Sequence, residues 1–179
     1  MKHPLSLLLL LPLLALLSCS DDSTPTFSNR EHVYCNFNVL RSPELLNAMG
    51  NMGQFATIRK HVVDGATKFT ITSASGSNDY PVDAINKNFS LGLGGLIVGT
   101  NNYGEPLCFD LACPICDRAN RRLTLSADGY AHCEKCNTTF DLNNYGVIYK
   151  IDEKNPPATK RGLYRYRINY NGQMVNAYN

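Results

Sequence analysis

The sequence has no excess of charge of either sign, no tryptophan, and only four histidines among its 179 residues. With Lys2 set aside, 16 basic residues stand against 15 acidic ones. That balance gives no electrostatic case for nucleic acid as a partner. No apolar run reaches the roughly 20 residues that a membrane-spanning helix needs. A hydrolase or oxygenase reading has nothing to rest on, because the sequence offers no nucleophile–base set and no iron-binding His/carboxylate motif. Internal repeats and long low-complexity segments are also missing. Asn, Thr and Gly are plentiful, with ten Tyr and seven Phe, which fits a β-rich exported protein.

The longest apolar run is Leu5–Leu17, broken only by Ser6, Pro12 and Ala15, behind a short charged start. Its length suits a signal peptide over residues 1–18 and is too short for a membrane helix. It closes on Leu16-Leu17-Ser18-Cys19, which resembles a bacterial lipobox, although Leu17 is a less usual choice there. The resemblance implies lipidation of Cys19, a mature chain of 161 residues and a membrane partner reached through the lipid anchor. The polar, acidic stretch after Cys19 lacks an apolar anchor, so residues 19–29 read as a flexible tether. Its Ser20-Asp21-Asp22 start also resembles the export signal of surface lipoproteins in Bacteroidetes-type bacteria, which implies a location at the outer membrane or cell surface.

Beyond the tether the patterning is that of an all-β domain over residues 30–179. Val33, Cys35, Phe37 and Val39 alternate with polar neighbours, the period of a half-buried strand. Ser42-Pro43-Glu44 supplies a cap, a first-turn proline and an early acid, predicting a short helix that Gly50 stops. Asp64-Gly65 between two β-rich runs, Phe55–Val63 and Thr67–Thr72, predicts a hairpin. Ser73–Asp79 reads as a turn-rich loop. The glycine-rich stretch Ser90–Gly99 lacks the strand, loop and helix context of a dinucleotide-binding fingerprint, so a strand with a bulge is expected. Further short strands follow at Pro106–Ala112, Arg121–Leu125, Tyr130–His132, Thr138–Leu142 and Val147–Ile151. In the last hairpin Tyr164, Tyr166, Ile168 and Tyr170 share one face and Arg165 and Arg167 the other, expected to be a solvated outer face.

Seven cysteines carry the most specific signal. Cys113 and Cys116 form one Cys-x-x-Cys pair, and Cys133 and Cys136 form another, with sixteen residues between them. Each pair can close a turn with two sulfurs facing one ion, so the spacing predicts a four-thiolate metal centre. Zinc, a single iron held as in rubredoxin, and a [2Fe-2S] cluster all suit the donor set, with zinc slightly ahead on geometry. Two small-loop disulfides are the competing arrangement, and they would stabilise little. Asp117 and Asn137 follow the pairs at positions where glycine is common, and Asn accepts a left-handed backbone better than Asp. No βαβ pattern surrounds either pair to support thiol–disulfide exchange. Cys35 and Cys108 remain, either as a disulfide or as two buried thiols. His32, His61 and His132 are expected to be ordinary surface or core residues, with His132 facing away from the centre.

Leu96-Ile97-Val98, the run from Leu107 through Cys113-Pro114, Phe140-Asp141-Leu142, Gly146-Val147 and Leu163-Tyr164-Arg165-Tyr166 resemble, in order and spacing, the Rieske iron–sulfur fold. The resemblance covers Leu91 to Asn179 and extends to a group of Bacteroidetes lipoproteins built on that pattern. It implies a β-sandwich with a small rubredoxin- or zinc-ribbon-like subdomain, metal-binding loops within residues 107–145, and an N-terminal addition over 30–89. It breaks at the ligands, because a Rieske centre uses two histidines. Here Ile115 stands at the first histidine place, and Cys116 and Cys136 supply the other thiolates. A closed four-cysteine shell leaves no open position for substrate. The expected function is therefore a lipid-anchored, non-catalytic binding or structural module with an unknown protein partner. A [2Fe-2S] electron carrier with a redox partner is the alternative.

Overall fold

The computed structural model describes residues 27–179, so the expected signal peptide, Cys19 and the part of the expected tether up to residue 26 lie outside the described residues. Among the described residues no helix is long and apolar enough to cross a membrane. The strands are β1 (Val33–Asn38), β2 (Gln54–Val63), β3 (Ala66–Ser73), β4 (Gly76–Pro81), β5 (Ser90–Leu91), β6 (Leu96–Thr100), β7 (Pro106–Asp110), β8 (Thr124–Leu125), β9 (Tyr130–Cys133), β10 (Thr138–Asp141), β11 (Val147–Lys150), β12 (Arg165–Tyr170) and β13 (Met174–Tyr178). They form a curled antiparallel sheet, ordered β4-β3-β2-β6-β7-β12-β13-β1-β5, and a four-stranded sheet, ordered β11-β10-β9-β8. The small sheet is an insertion between β7 and β12.

Strand β6 explains how the sheets meet. All five of its residues are buried, as expected of a strand covered on both faces. Leu96 and Val98 point into one core with Ala56, Ile58 and Cys108, inside the curl. Ile97 points the other way, into a second core with Phe55, Leu107 and Phe109. Leu123, Ala131, Phe140 and Leu142 close this second core from the small sheet, together with Cys113 and Cys133. Each fully buried Phe or Leu is worth about 1.5–3 kcal/mol relative to exposure, so the insertion is fastened largely by this contact.

The predicted helix forms at Pro43–Gly50. The Ser42 hydroxyl accepts from the Leu45 N–H at 3.3 Å, and Leu45, Ala48 and Met49 pack onto the first core. Glu44 is buried beside the cap and accepts hydrogen bonds from the Ser42 hydroxyl, the Tyr80 hydroxyl and the Asn78 amide. Tyr80 and Asn78 belong to β4, a strand lying where a turn-rich loop was expected. Five of its six residues are exposed, so it carries no apolar face to read. It exists because β3 pairs with it from Lys68↔Pro81 to Ser73↔Gly76.

Ser90–Gly99 also differs from expectation, because it is two strands with separate partners. Strand β5 pairs with β1, and β6 pairs with β2 and β7. The intervening turn wraps a buried carboxylate, that of Asp110 on β7. Leu93 and Gly94 donate backbone N–H bonds to it at 2.7 and 2.9 Å, Ala112 at 2.7 Å, and the Tyr166 hydroxyl at 2.8 Å. Gly92 has φ +70°, and a Cβ there would stand 2.4 Å from an Asp110 oxygen. Only glycine fits.

Cys35 and Cys108 share the first core as buried free thiols, the second of the two arrangements foreseen for them. Burial pushes the Cys35 thiol up to about 12 and Cys108 well above its ordinary value. Both behave as small apolar side chains.

Candidate metal centre

The two cysteine pairs sit at two turns of the inserted unit. Beyond β7 the chain enters the first turn, where the Cys113 N–H donates to the Arg121 carbonyl and the Asp117 N–H donates to the Cys113 carbonyl, both at 2.8 Å. The second turn is the β9–β10 hairpin, in which Cys133 pairs with Thr138. Each turn needs one residue in the left-handed region, and Asp117 (φ 55°) and Asn137 (φ 51°) take those places. The Asp117 side chain has its own supports, which offset its poorer backbone preference. It pairs with Arg30 and accepts from the Tyr164 hydroxyl at 2.9 Å.

The four sulfurs all lie within 4.8 Å of one another. Cys113 Sγ is 3.6 Å from Cys136 Sγ, and Cys116 Sγ is 3.8 Å from Cys133 Sγ. Four sulfurs bound at ~2.3 Å in a tetrahedron stand about 3.8 Å apart, so the cluster has the spacing of one ion's coordination shell. The competing small-loop disulfides are not formed, since all four are free thiols.

Burial is uneven. Cys113 and Cys133 are buried, whereas Cys116 and Cys136 are half-buried. The two outer sulfurs line a cleft of about 480 Å³ with Lys135, Asp152 and Thr159.

The thiols differ in how readily they ionise. Burial, reinforced by the neighbouring sulfurs, pushes the Cys113 thiol far above its ordinary range and the Cys116 thiol up to about 11. Cys136 is pulled the other way. Burial opposes its ionisation, but the Thr138 hydroxyl, 3.4 Å from its sulfur, and the other three cysteines favour it. Four thiolates crowded this closely repel one another, and a divalent ion reverses the balance.

Of the residues singled out in the sequence, Cys113, Cys116, Cys133 and Cys136 come together, and Cys35 and Cys108 lie in the separate core. His132 projects from the face of β9 opposite to Cys133, and its Nδ1 lies 3.0 Å from the Thr139 hydroxyl. Two further residues support the site without having been assigned to it. Thr138 is fully buried against Cys136, and Tyr164 has the guanidinium groups of Arg30 and Arg161 each 5.7 Å from its ring. Thr138 carried a positional hint, two places after a ligand, and Tyr164 was legible only as a strand residue of the Rieske-like pattern.

Fold and centre together define the class: an all-β protein with an inserted unit whose four cysteines could hold a metal ion. Compared with known proteins, the chain matches no family model, and searches among curated proteins and solved structures return no match.

Proposed function

We propose that the chain is a lipid-anchored, extracytoplasmic protein of Rieske-like design whose four cysteines hold one zinc ion as a structural clasp in a non-catalytic binding module. One observation carries the metal reading: all four sulfurs lie within 4.8 Å, with close pairs at 3.6 and 3.8 Å. A [2Fe-2S] cluster divides its cysteines between two irons and so draws the two sets apart by the length of the cluster. The single-ion spacing favours zinc, or one iron, over that alternative. Zinc supplies charge neutralisation and four bonds, and no redox chemistry. The chain does the rest: Cys113 and Cys133 bring the centre into the second core, Thr138 supports Cys136, and Asp117 ties the first turn to Arg30 and Tyr164. The Rieske-like reading is supported by the layout, in which an inserted unit, made of the first cysteine turn and a small sheet that carries the second, interrupts a larger antiparallel sheet between β7 and β12.

A second reading, single-electron transfer through one iron, is favoured by the half-buried Cys116 and Cys136 at the mouth of their cleft. The deciding experiment is elemental analysis with a visible spectrum on the soluble form beginning at Ser20, purified without added metal. One zinc per chain and no colour is the expected result. One iron with charge-transfer bands moves the function to electron transfer, iron with sulfide restores the cluster, and a metal-free folded protein overturns the centre altogether. For the anchor, Cys19→Ala is expected to release the protein from the membrane fraction.

A further inference from the structure

A cleft of about 380 Å³ lies between the outer face of β2–β3 and the β8 edge of the small sheet, far in chemistry from the cysteines. Its volume falls in the range of ligand sites, roughly 300–1,000 Å³. Phe55, Leu111 and Leu125 make it partly apolar, and its charged residues are Arg59 and Arg122, with no carboxylate among them. Among the described residues neither guanidinium takes part in an ion pair. Arg122 Nε donates to the Gly94 carbonyl at 2.8 Å, which fixes the group and leaves its outer nitrogens unused.

The cleft is also an open strand position. Before β8, the chain at Leu111–Cys113 runs antiparallel along its outer side: Ala112 bridges Arg122, Leu123 N–H donates to the Leu111 carbonyl, and Cys113 N–H donates to the Arg121 carbonyl. Upstream of Leu111 that chain departs into β7 of the large sheet, and the position opposite Leu125 is left empty. Thr124 pairs with His132, and Ser126 N–H donates to the Tyr130 carbonyl. By alternation, the N–H and C=O of Leu125 point outward into the cleft.

We propose that this cleft binds the C-terminal end of an extended peptide, whose backbone adds antiparallel to β8 at Leu125 and whose carboxylate meets Arg59 and Arg122. The direction follows from the chain already there. A strand in line with Leu111–Cys113 and upstream of it runs toward Leu111, so its last residue stands opposite Thr124, just before the Leu111–Leu123 position, and its carboxylate faces the stretch where Arg122 follows opposite Ala112. Arg59 reaches the same end, since its stem lies beside Gly95, whose carbonyl takes the Leu111 N–H. Strand addition supplies affinity through main-chain bonds, and bidentate arginine contacts select the carboxylate.

The test is titration of the soluble protein with a pool of N-acetylated pentapeptides carrying free C-terminal carboxylates, and with the same pool as C-terminal amides, followed by amide NMR. Free-acid peptides are expected to shift Leu125–Ala127 saturably and to bind at least tenfold more tightly than the amides. Arg59→Gln, which removes no intramolecular hydrogen bond or ion pair, is expected to abolish that difference at an unchanged melting temperature. Backbone N-methylation of the peptide residue facing Leu125 is expected to weaken binding as much. Absence of saturable shifts with any peptide, equal binding of acids and amides, or acetate alone matching the peptides would each overturn the proposal.

Discussion

At the scale of single residues, the four cysteines are not equivalent. A serine at position 133 loses a ligand and also places a hydroxyl in the second core among Phe140, Leu142 and Leu163, whereas position 116 opens on a cleft. Cys133→Ser is therefore expected to lose the metal and several kcal/mol of stability, and Cys116→Ser to lose metal with a smaller fall. Metal content and urea midpoints of the two variants read this directly, and an unchanged metal content in Cys133→Ser would refute the centre. The buried carboxyls set the acid response. Burial works against ionisation of Glu44, but hydrogen bonds from Tyr80, Ser42 and Asn78 win and hold it below its ordinary 4.5. A depressed carboxyl stabilises the fold above its unfolded value, and that contribution is lost as pH falls through the folded one. Glu44→Gln is expected to cost about 1–3 kcal/mol at pH 7 and to show a shallower further loss below pH 4.5 than the parent, in denaturant titrations at both pH values. Asp110 acts in the opposite sense: burial raises it above 3.8, so its contribution declines as pH climbs from there.

At the scale of elements, the sequence was most legible where one face is apolar and the other is not. The alternation in β1, the cap of the helix, the Asp64-Gly65 hairpin and the last hairpin all carried local signals, and the structure contains each of them. The cysteine turns were legible for a different reason, since the spacing itself is the chemistry. Strand β4 was hidden because its partner and not its own side chains makes it a strand. The outer face of β12 was half legible. Arg165 and Arg167 do lie on it, but the Phe27 ring stacks on both, 4.9 and 5.1 Å away, and Tyr145 covers Arg165. Phe27 belongs to the stretch read as tether, and Ser28 N–H donates to the Arg165 carbonyl at 2.7 Å. The glycine stretch was misread because its reason is the distant Asp110. Gly92→Ala should accordingly be severe: the left-handed backbone and the 2.4 Å approach to Asp110 together predict a loss of at least about 2 kcal/mol. A melting temperature within a degree or two of the parent would remove the glycine from this role.

At the scale of the whole molecule, two cores share the wall formed by β6 and β7 but differ in what holds them. The first is enclosed by the curled sheet and the helix, and the second depends on a small sheet whose turns meet at the cysteines. Removing metal with a chelator is expected to raise amide exchange first in β8–β11, while β1, β6 and β13 stay protected, as separate cooperative units allow. Uniform loss of protection would show instead that the two cores melt as one. The carboxylate of Asp110 joins three parts of this architecture, the glycine turn, β7 and β12. Its partners are those a binding protein would offer to a small free acid. Truncation by Asp110→Ala leaves an empty nest of N–H groups the size of formate. Folding of that variant becomes a ligand-dependent equilibrium, and added formate should rescue its melting temperature in proportion to the logarithm of concentration, while chloride at equal ionic strength should not.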